Sequence, residues 1–362
     1  LHSRRRRQRQ MCIRDRPDAG SDLQRVMLKA EPEGDDNGIW RLNGVKRFIT
    51  NGCADTLLVL ARSEPNTRDG RGLSMFLVEK GEGVRIRRIE DKLGIHGSPT
   101  CEIQFTNAPG WLVGQRKRGL TKYVMSLMNG ARLSIAAQGL GIAEAAYRVA
   151  RDYAETREQF GKKIKDIPAV YQMLVNMKIS IEAARTLTYK TAEAVDIYKA
   201  MEMYPDKYDA KEIKQWNRLS LLLTPFAKYY ATEIANKVAF DAISVLGGSG
   251  FMRDYPLERY FRDARITNIY EGTTQLQIVG AIGGVLAGQL NNHFSRFLSK
   301  RFDGELSKLA DVVAQGVEKL NNAISVFKKI KNQEFVDYYA RNLVDIALDL
   351  YIATLLIDTA VK

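Results

Sequence analysis

The pattern of apolar and polar positions changes character near residue 115. From residue 38 to 106 short apolar runs alternate with turn residues. "TLLVLAR" (56–62), "LSMFLVE" (73–79), "VRIRRI" (84–89) and "CEIQFT" (101–106) are separated by stretches bearing Gly and Pro. Upstream, "GIWRLNGVKRFITNG" (38–52) places Asn43-Gly44 between two short runs, a strong signal for a two-residue hairpin. Five or six short strands with no helix between them predict a compact barrel or sandwich.

Beyond residue 115 the apolar positions recur at helical spacing. "YVMSLMNGARLSIAAQGLGIAEAAYRVARDYAETR" (123–157) carries Arg and Glu on its opposite face. A second helix is predicted from Pro168 to about Ala200, and a third from Leu219 to Leu246, closed by "GGSG" (247–250). A fourth begins just after Glu271. Four long helices with short links predict an up-down four-helix bundle. The polar stretch 201–216, with Pro205, reads as an inserted loop. Residues 300–362 hold two further amphipathic segments, the last still apolar at its final residue, as if cut off. The expected fold class is α+β and multidomain. Residues 1–16 form a disordered basic tail, 17–112 a β-domain, 113–292 the bundle, and 293–362 a partial C-terminal helical extension.

Composition adds little beyond this. The formal net charge is +13, but residues 1–16 alone hold seven arginines against one aspartate. With that run set aside the excess is modest, so a folded nucleic-acid-binding surface is not the expectation. Cys12, Cys53 and Cys101 have no CxxC spacing, and His2, His96 and His293 are scattered. Neither a disulfide framework nor a metal site is predicted, and no apolar run is long enough for a spanning helix. "GGSGF" and "GLG" do not follow a strand and open a helix, so a dinucleotide fingerprint fails on context.

Taken singly, the remaining motifs are ordinary. "REQFGK" (157–162) reads as a helix end capped by glycine, and "FITNG" (48–52) as a strand and turn. Glu271, in "IYEGTTQ" (269–275), reads as an acid in the first turn of a helix, where it favours the helix dipole. Their order changes this reading. "PDAGSD" (17–22), "KRFITNG" (46–52), "GARL" (130–133), "TREQFGK" (156–162) and "LGGSGFMRDYPLERYFRDARITNIYEGTTQ" (246–275) together resemble the FAD-dependent acyl-CoA dehydrogenase family. The resemblance covers about residues 17–285. Residues beyond about 290, together with "LLTPFAK" (222–228), resemble its longer branch with a C-terminal helical extension.

The resemblance implies an N-terminal helical domain, a middle β-domain and a C-terminal bundle, with FAD held between the last two. The residue before Pro17 is Arg16, where the family motif normally opens on "TEP". The chain is therefore expected to begin inside a flavin-binding loop, without the N-terminal domain, and to be inactive or only feeble by itself. Family members are oxidoreductases of fatty acid β-oxidation. They take an acyl-CoA to the trans-2-enoyl-CoA and pass electrons to an electron-transfer flavoprotein. The resemblance makes Glu271 the base for the α-proton. The backbone N–H there, beside Gly272, donates to the thioester oxygen, which is oxyanion-hole logic. Some members place the base one residue before the arginine of the first bundle helix. Here that position is Ala131, which cannot accept a proton.

For FAD the resemblance implicates Thr50, with Phe48 in place of the usual tryptophan, and Ser21. It also implicates Arg157, Gln159 and Phe160, which reach the cofactor of a neighbouring subunit, then Gly247 and Gly248, then Thr273 and Gln275. Ser244 stands where a glutamine is usual. Arg132 and Asn129 fall near the CoA moiety, Asn129 where Asp is commoner. A homodimer or homotetramer follows, with the extension read as a cover for the bundle and peripheral membrane contact or dimer packing as its alternatives. The expected location is cytoplasmic for a bacterial protein and the mitochondrial matrix for a eukaryotic one. The alternatives are an acyl-CoA oxidase, with oxygen as acceptor, and a non-dehydrogenase relative that binds nucleic acid.

Overall fold

The computed structural model describes residues 9–12, 20–35, 38–330 and 332–361. Two compact units divide the chain, Leu1–Gly130 and Ala131–Lys362. The division falls inside the first long helix.

The first unit is a β-barrel. Its strands are β1 (Arg9–Cys12), β2 (Lys29–Pro32), β3 (Ile39–Thr50), β4 (Thr56–Arg62), β5 (Leu73–Glu79), β6 (Val84–Ile89) and β7 (Thr100–Leu112). The pairing order β4-β2-β3-β7-β5 returns to β4 through an antiparallel β4–β5 ladder, so the sheet closes on itself. Closure removes the edges that would otherwise recruit other strands. Inward positions of the strands supply Trp40, Leu42, Leu57, Leu60, Phe76, Ile103 and Phe105 to one core. The Trp40 and Phe76 rings meet at 5.1 Å.

Two expectations for this unit are corrected. Asn43-Gly44 is not a hairpin turn, because β3 runs straight through it. The register against β7 shifts between Leu42 and Gly44, a bulge. Asn43 Oδ1 accepts the Asn107 N–H at 2.7 Å. A Cβ on Gly44, whose φ is +144°, would lie 2.8 Å from Leu28 Cδ1. The pairing with β7 and the close approach of Leu28 prevail over the local turn signal. The tail expected to be free of strand contains β1, which pairs in parallel with Thr56–Val59 of β4. β2 meets β4 only at Lys29 and Arg62, which leaves the rest of that edge to an extended segment. Residues 1–8 and 13–16 of the tail lie outside the described residues.

The second unit is helical. It holds α1 (Met125–Thr156), a small hairpin of β8 (Glu158–Gln159) and β9 (Lys162–Lys163), α2 (Pro168–Met203), α3 (Ala210–Leu246) and α4 (Gly248–Phe251). Then come α5 (Leu257–Ala264), α6 (Thr274–Leu286), α7 (Asn291–Leu298), α8 (Gly304–Lys329) and α9 (Gln333–Ala360). α1 buries a stripe of small residues, Ala136, Gly139, Ala143, Ala146, Ala150 and Ala154. A Cβ on Gly139 would stand 2.9 Å from Ala231 O of α3, so the two backbones meet closely there.

The inserted loop expected at 201–216 shrinks to residues 204–209. Asp209 caps α3 by accepting the Lys211 N–H at 2.7 Å and the Glu212 N–H at 3.3 Å. The polar sequence after it is therefore a solvated helical start. The C-terminal extension shares the bundle's core. Leu343, Val344, Ala347, Leu348, Tyr351 and Leu355 of α9 join the cluster that holds Phe226 and Ile278. Tyr229 Oη donates to Asp345 Oδ1 at 2.8 Å.

Candidate active site

Within the second unit, Glu271 sits in the turns between α5 and α6 with φ +53°, followed by Gly272 at +95°. A glutamate in the left-handed region costs on the order of 1 kcal/mol and persists only where its surroundings dictate it. Three side chains do so here. Arg132 Nε of α1 donates to Glu271 O at 3.4 Å. Gln277 Nε2 of α6 donates to Glu271 O at 3.4 Å and to Gly272 O at 3.0 Å. Lys228 Nζ of α3, wholly buried, donates to Gly272 O at 2.6 Å. Two consecutive carbonyls are thus fixed from three helices.

The flanks of the turn are also tied. Tyr270 Oη bonds Gln138 Oε1, and burial pushes the Tyr270 phenol up to about 12. Thr274 Oγ1 bonds Glu233 Oε1, which also accepts Asn268 Nδ2 at 3.1 Å. Thr273 caps α6, its hydroxyl accepting the Leu276 N–H at 3.4 Å. Burial lowers the Arg132 guanidinium from its ordinary value, and the charge of Glu271 opposes that shift. Arg132 and Glu271 therefore feel each other electrostatically. Asn129 lies half-buried one turn earlier on α1, Ala131 occupies the alternative base position, and Gln275 is exposed on the first turn of α6.

At the end of α3 the chain turns on Gly247, with φ +60° and ψ −135°, a conformation open essentially to glycine alone. A Cβ on either Gly247 or Gly248 would meet nothing within 4 Å. This is exposed backbone that a ligand can approach. Ser244, also exposed, spends its hydroxyl on Phe240 O at 3.3 Å. "REQFGK" is not a capped helix end. Gln159 pairs with Lys162 across a two-residue turn of Phe160 (φ +54°) and Gly161 (φ +76°). The turn holds Phe160 out at 91% exposure, with Arg157 and Gln159 exposed beside it.

In the first unit, the β3–β7 register shifts a second time between Lys46 and Ile49. The bulge gives Phe48 φ +59° and leaves its ring 48% exposed, with the Arg47 guanidinium 5.2 Å above it. Thr50, half-buried, follows, and Asn51 (φ +51°) donates its N–H to Pro99 O at 2.6 Å. Ser21 is exposed. The segment after it is clasped by Arg62, which donates to Gln24 O at 2.5 Å and Val26 O at 3.1 Å.

The site residues expected from sequence thus fall into separate groups. Arg132, Glu271, Gly272 and Thr273 come together. Gly247 and Gly248, the Arg157–Phe160 turn, the Phe48–Thr50 bulge and Ser21 are each placed on exposed or half-exposed backbone. Lys228, Gln277 and Glu233 were not anticipated. Lys228 carried a faint signal, as the only charge at a face position of "LTPFAKYYATEIA", in step with Thr224, Ala231 and Ala235. The residues present fit a flavin dinucleotide. Bare glycine backbone and arginine suit a diphosphate, and an exposed aromatic at a bulge suits a flat ring. Among the described residues no group of three or more His, Cys, Asp or Glu could hold a metal ion, and no helix is long and apolar enough to cross a membrane.

Comparison with known proteins bears on this arrangement. The family model for the acyl-CoA dehydrogenase middle domain matches residues 14–108. The models for the C-terminal domain and for the acyl-CoA dehydrogenase C terminal match residues 118–281 and 287–362. The short-chain specific acyl-CoA dehydrogenase of Clostridium acetobutylicum is 37% identical over 266 residues, 72% of this chain and 64% of that protein. The structure of butyryl-CoA dehydrogenase from Megasphaera elsdenii aligns with TM-score 0.67 and 33% identity, covering 77% of this chain and 68% of that one. Caenorhabditis elegans ACDH-11 in complex with C11-CoA aligns with TM-score 0.87 and 25% identity, covering 97% of this chain and 60% of that one. The chain thus spans a little under two thirds of the Clostridium protein's length. With residues 14–108, 118–281 and 287–362 matched by three consecutive family models, this chain belongs to the acyl-CoA dehydrogenase family.

Proposed function

We propose that the protein carrying this chain oxidises an acyl-CoA thioester to the trans-2-enoyl-CoA, with Glu271 as the base. The observation that carries the reading is the turn at Glu271, held left-handed by donors from α1, α3 and α6 in a chain of this family. Glu271 takes the α-proton, and a positioned general base contributes about 10²–10⁴-fold. Negative charge then develops on the thioester oxygen, and the backbone N–H of Glu271 is its proposed donor. Lys228 and Gln277 hold the neighbouring carbonyls, so this peptide need not reorganise as the charge forms. Arg132 and Asn129 bind the CoA moiety.

FAD is the cofactor, and when bound it accepts the β-hydrogen as hydride. Ser21, Phe48, Thr50, Gly247, Gly248, Thr273 and Gln275 hold it. Arg157, Gln159 and Phe160 serve the cofactor of a second copy, which makes the assembly a homodimer or homotetramer. Electron-transfer flavoprotein is the proposed acceptor, and the place of the reaction is fatty acid β-oxidation. The test is anaerobic mixing of the FAD-loaded protein with butyryl-CoA and longer acyl-CoAs. Bleaching of the flavin absorbance with formation of the enoyl-CoA is expected. No bleaching with any acyl-CoA would sink the reading, and rapid peroxide formation with oxygen as sole acceptor would replace the dehydrogenase with an oxidase.

A further inference from the structure

The start of α3, which reads from sequence as a polar insertion, has no part in the chemistry above. It borders a cleft of about 730 Å³, within the size range of small-molecule sites. The walls come from α2, the first turns of α3, the α6–α7 link, α7 and α9. Five cations line it, Lys190 of α2, Lys211, Lys214 and Arg218 of α3, and Arg296 of α7, and no lining residue is acidic. Lys190 is engaged with Glu193 at 2.5 Å. Among the described residues the other four form no ion pair.

The spacing on α3 is telling. Lys211, Lys214 and Arg218 recur at i, i+3 and i+7, one face of one helix. Like charges so placed destabilise a helix, and among the described residues no ion pair offsets them. Glu212 and Asp209 lie outside the lining, Asp209 occupied as the helix cap. The interior differs from the rim. Trp216 is half-buried in it, beside Leu219, Leu223 and the wholly buried Tyr351. A cationic rim over an aromatic and aliphatic floor selects a ligand with several negative charges at one end and a flat apolar group at the other.

We propose that this cleft binds a nucleoside polyphosphate. Its phosphates lie on Lys211, Lys214, Arg218 and Arg296, and its base lies against Trp216. Arginine meets phosphate oxygens in a fork and lysine as a point charge, and an indole face gives a base a stacking surface. The chemistry is shared by free nucleotides and by the phosphoadenosine end of coenzyme A. The proposal does not depend on Glu271 or on the dehydrogenase reading.

The experiment is calorimetric titration of the full chain with ATP, coenzyme A, adenosine and inorganic pyrophosphate, at low and at high salt, with tryptophan fluorescence followed in parallel. ATP is expected to bind, to quench the Trp216 signal, and to weaken steeply with salt. Adenosine is expected not to bind. The double variant Lys214→Ala with Arg218→Ala, both exposed positions, should weaken ATP by about tenfold or more, with the melting temperature unchanged or slightly raised as the like-charge pair is removed. Trp216→Phe should remove the quench. Coenzyme A losing affinity in the double variant alongside ATP identifies the coenzyme as a natural source. Coenzyme A unaffected by it leaves the free nucleotide as the ligand. ATP binding unchanged in the double variant would place the nucleotide elsewhere and overturn the proposal. Pyrophosphate binding as tightly as ATP with no quench would overturn the base-binding half.

Discussion

Lys228 joins burial to a position beside Glu271, and the two can be tested apart. It is wholly buried on α3 and donates to the carbonyl of the residue next to Glu271. Lys228→Met should remove the charged one of that carbonyl's two donors, leaving only Gln277 Nε2, and cost about 1–3 kcal/mol of stability. If the lysine also holds the turn for chemistry, the turnover number should fall while acyl-CoA binding survives. Differential scanning fluorimetry and steady-state kinetics on the same preparation separate the two. A variant that loses stability but keeps its full turnover number would make Lys228 structural only. Glu271 could be singled out because the ordered motifs around it resemble those of the family, although its own stretch reads only as an acid at a helix start. Lys228 was not, because its role arises when α3 meets a turn 44 positions downstream. Gln277 escaped for a related reason. Two positions past Gln275, it reads as one more polar residue opening α6, whereas the helix buries it against the turn.

At the scale of elements, helices were legible and two turns were misread. Periodicity marked α1, α2 and α3 because each presents a continuous apolar face to a shared core. Asn43-Gly44 was misleading, since a left-handed glycine serves a bulge as well as a hairpin, and only the distant partner β7 decides between them. The turn after α3 makes a sharper prediction. Gly247 lies where only glycine is comfortable, whereas Gly248 has no such constraint. Gly247→Ala should cost about 1–3 kcal/mol. Gly248→Ala should leave the melting temperature nearly unchanged and weaken FAD, because its methyl occupies the approach to the backbone. Chemical denaturation and flavin titration test both. Equal stability of the two variants would contradict the backbone account.

The contact between α7 and α9 predicts a pH dependence. His293 Nε2 lies 2.7 Å from Thr354 Oγ1, with its ring 4.6 Å from that of Tyr351. Burial is the main cause that lowers it from 6.5 to about 4. Lys190, Lys300 and Arg296 push the same way, and Asp358 opposes them. A histidine depressed in the folded state is neutral there, and the unfolded chain takes up the proton first. Its contribution is therefore intact above about 6.5 and lost as pH falls towards 4. Melting temperature should drop across that window, and His293→Gln should flatten the drop. An unchanged slope in the variant would show that other groups govern it.

For the whole molecule, the change of texture near residue 115 already announced a small β-domain, barrel or sandwich, followed by helices, since periods of two and of 3.6 are properties of the chain itself. The closure of the barrel was not written there, because it depends on which strands pair. A cover for the bundle was the expected role of the extension, and α9 shares the bundle's buried core. At this scale the exposed Phe160 matters most. A strained turn holds a large ring out at 91% exposure, as expected of a residue that another copy covers. Phe160→Asp should shift the assembly towards smaller species in sedimentation and lower retained FAD together. A wild-type sedimentation profile with full flavin would remove Phe160 from any such role. The most direct measurement for the account as a whole concerns Glu271→Gln in the FAD-loaded protein, with flavin spectrum, acyl-CoA binding and enoyl-CoA formation followed together. The flavin and the binding should be retained while the rate of enoyl-CoA formation falls by about 10²–10⁴-fold. Turnover at the wild-type rate would mean that the base lies elsewhere.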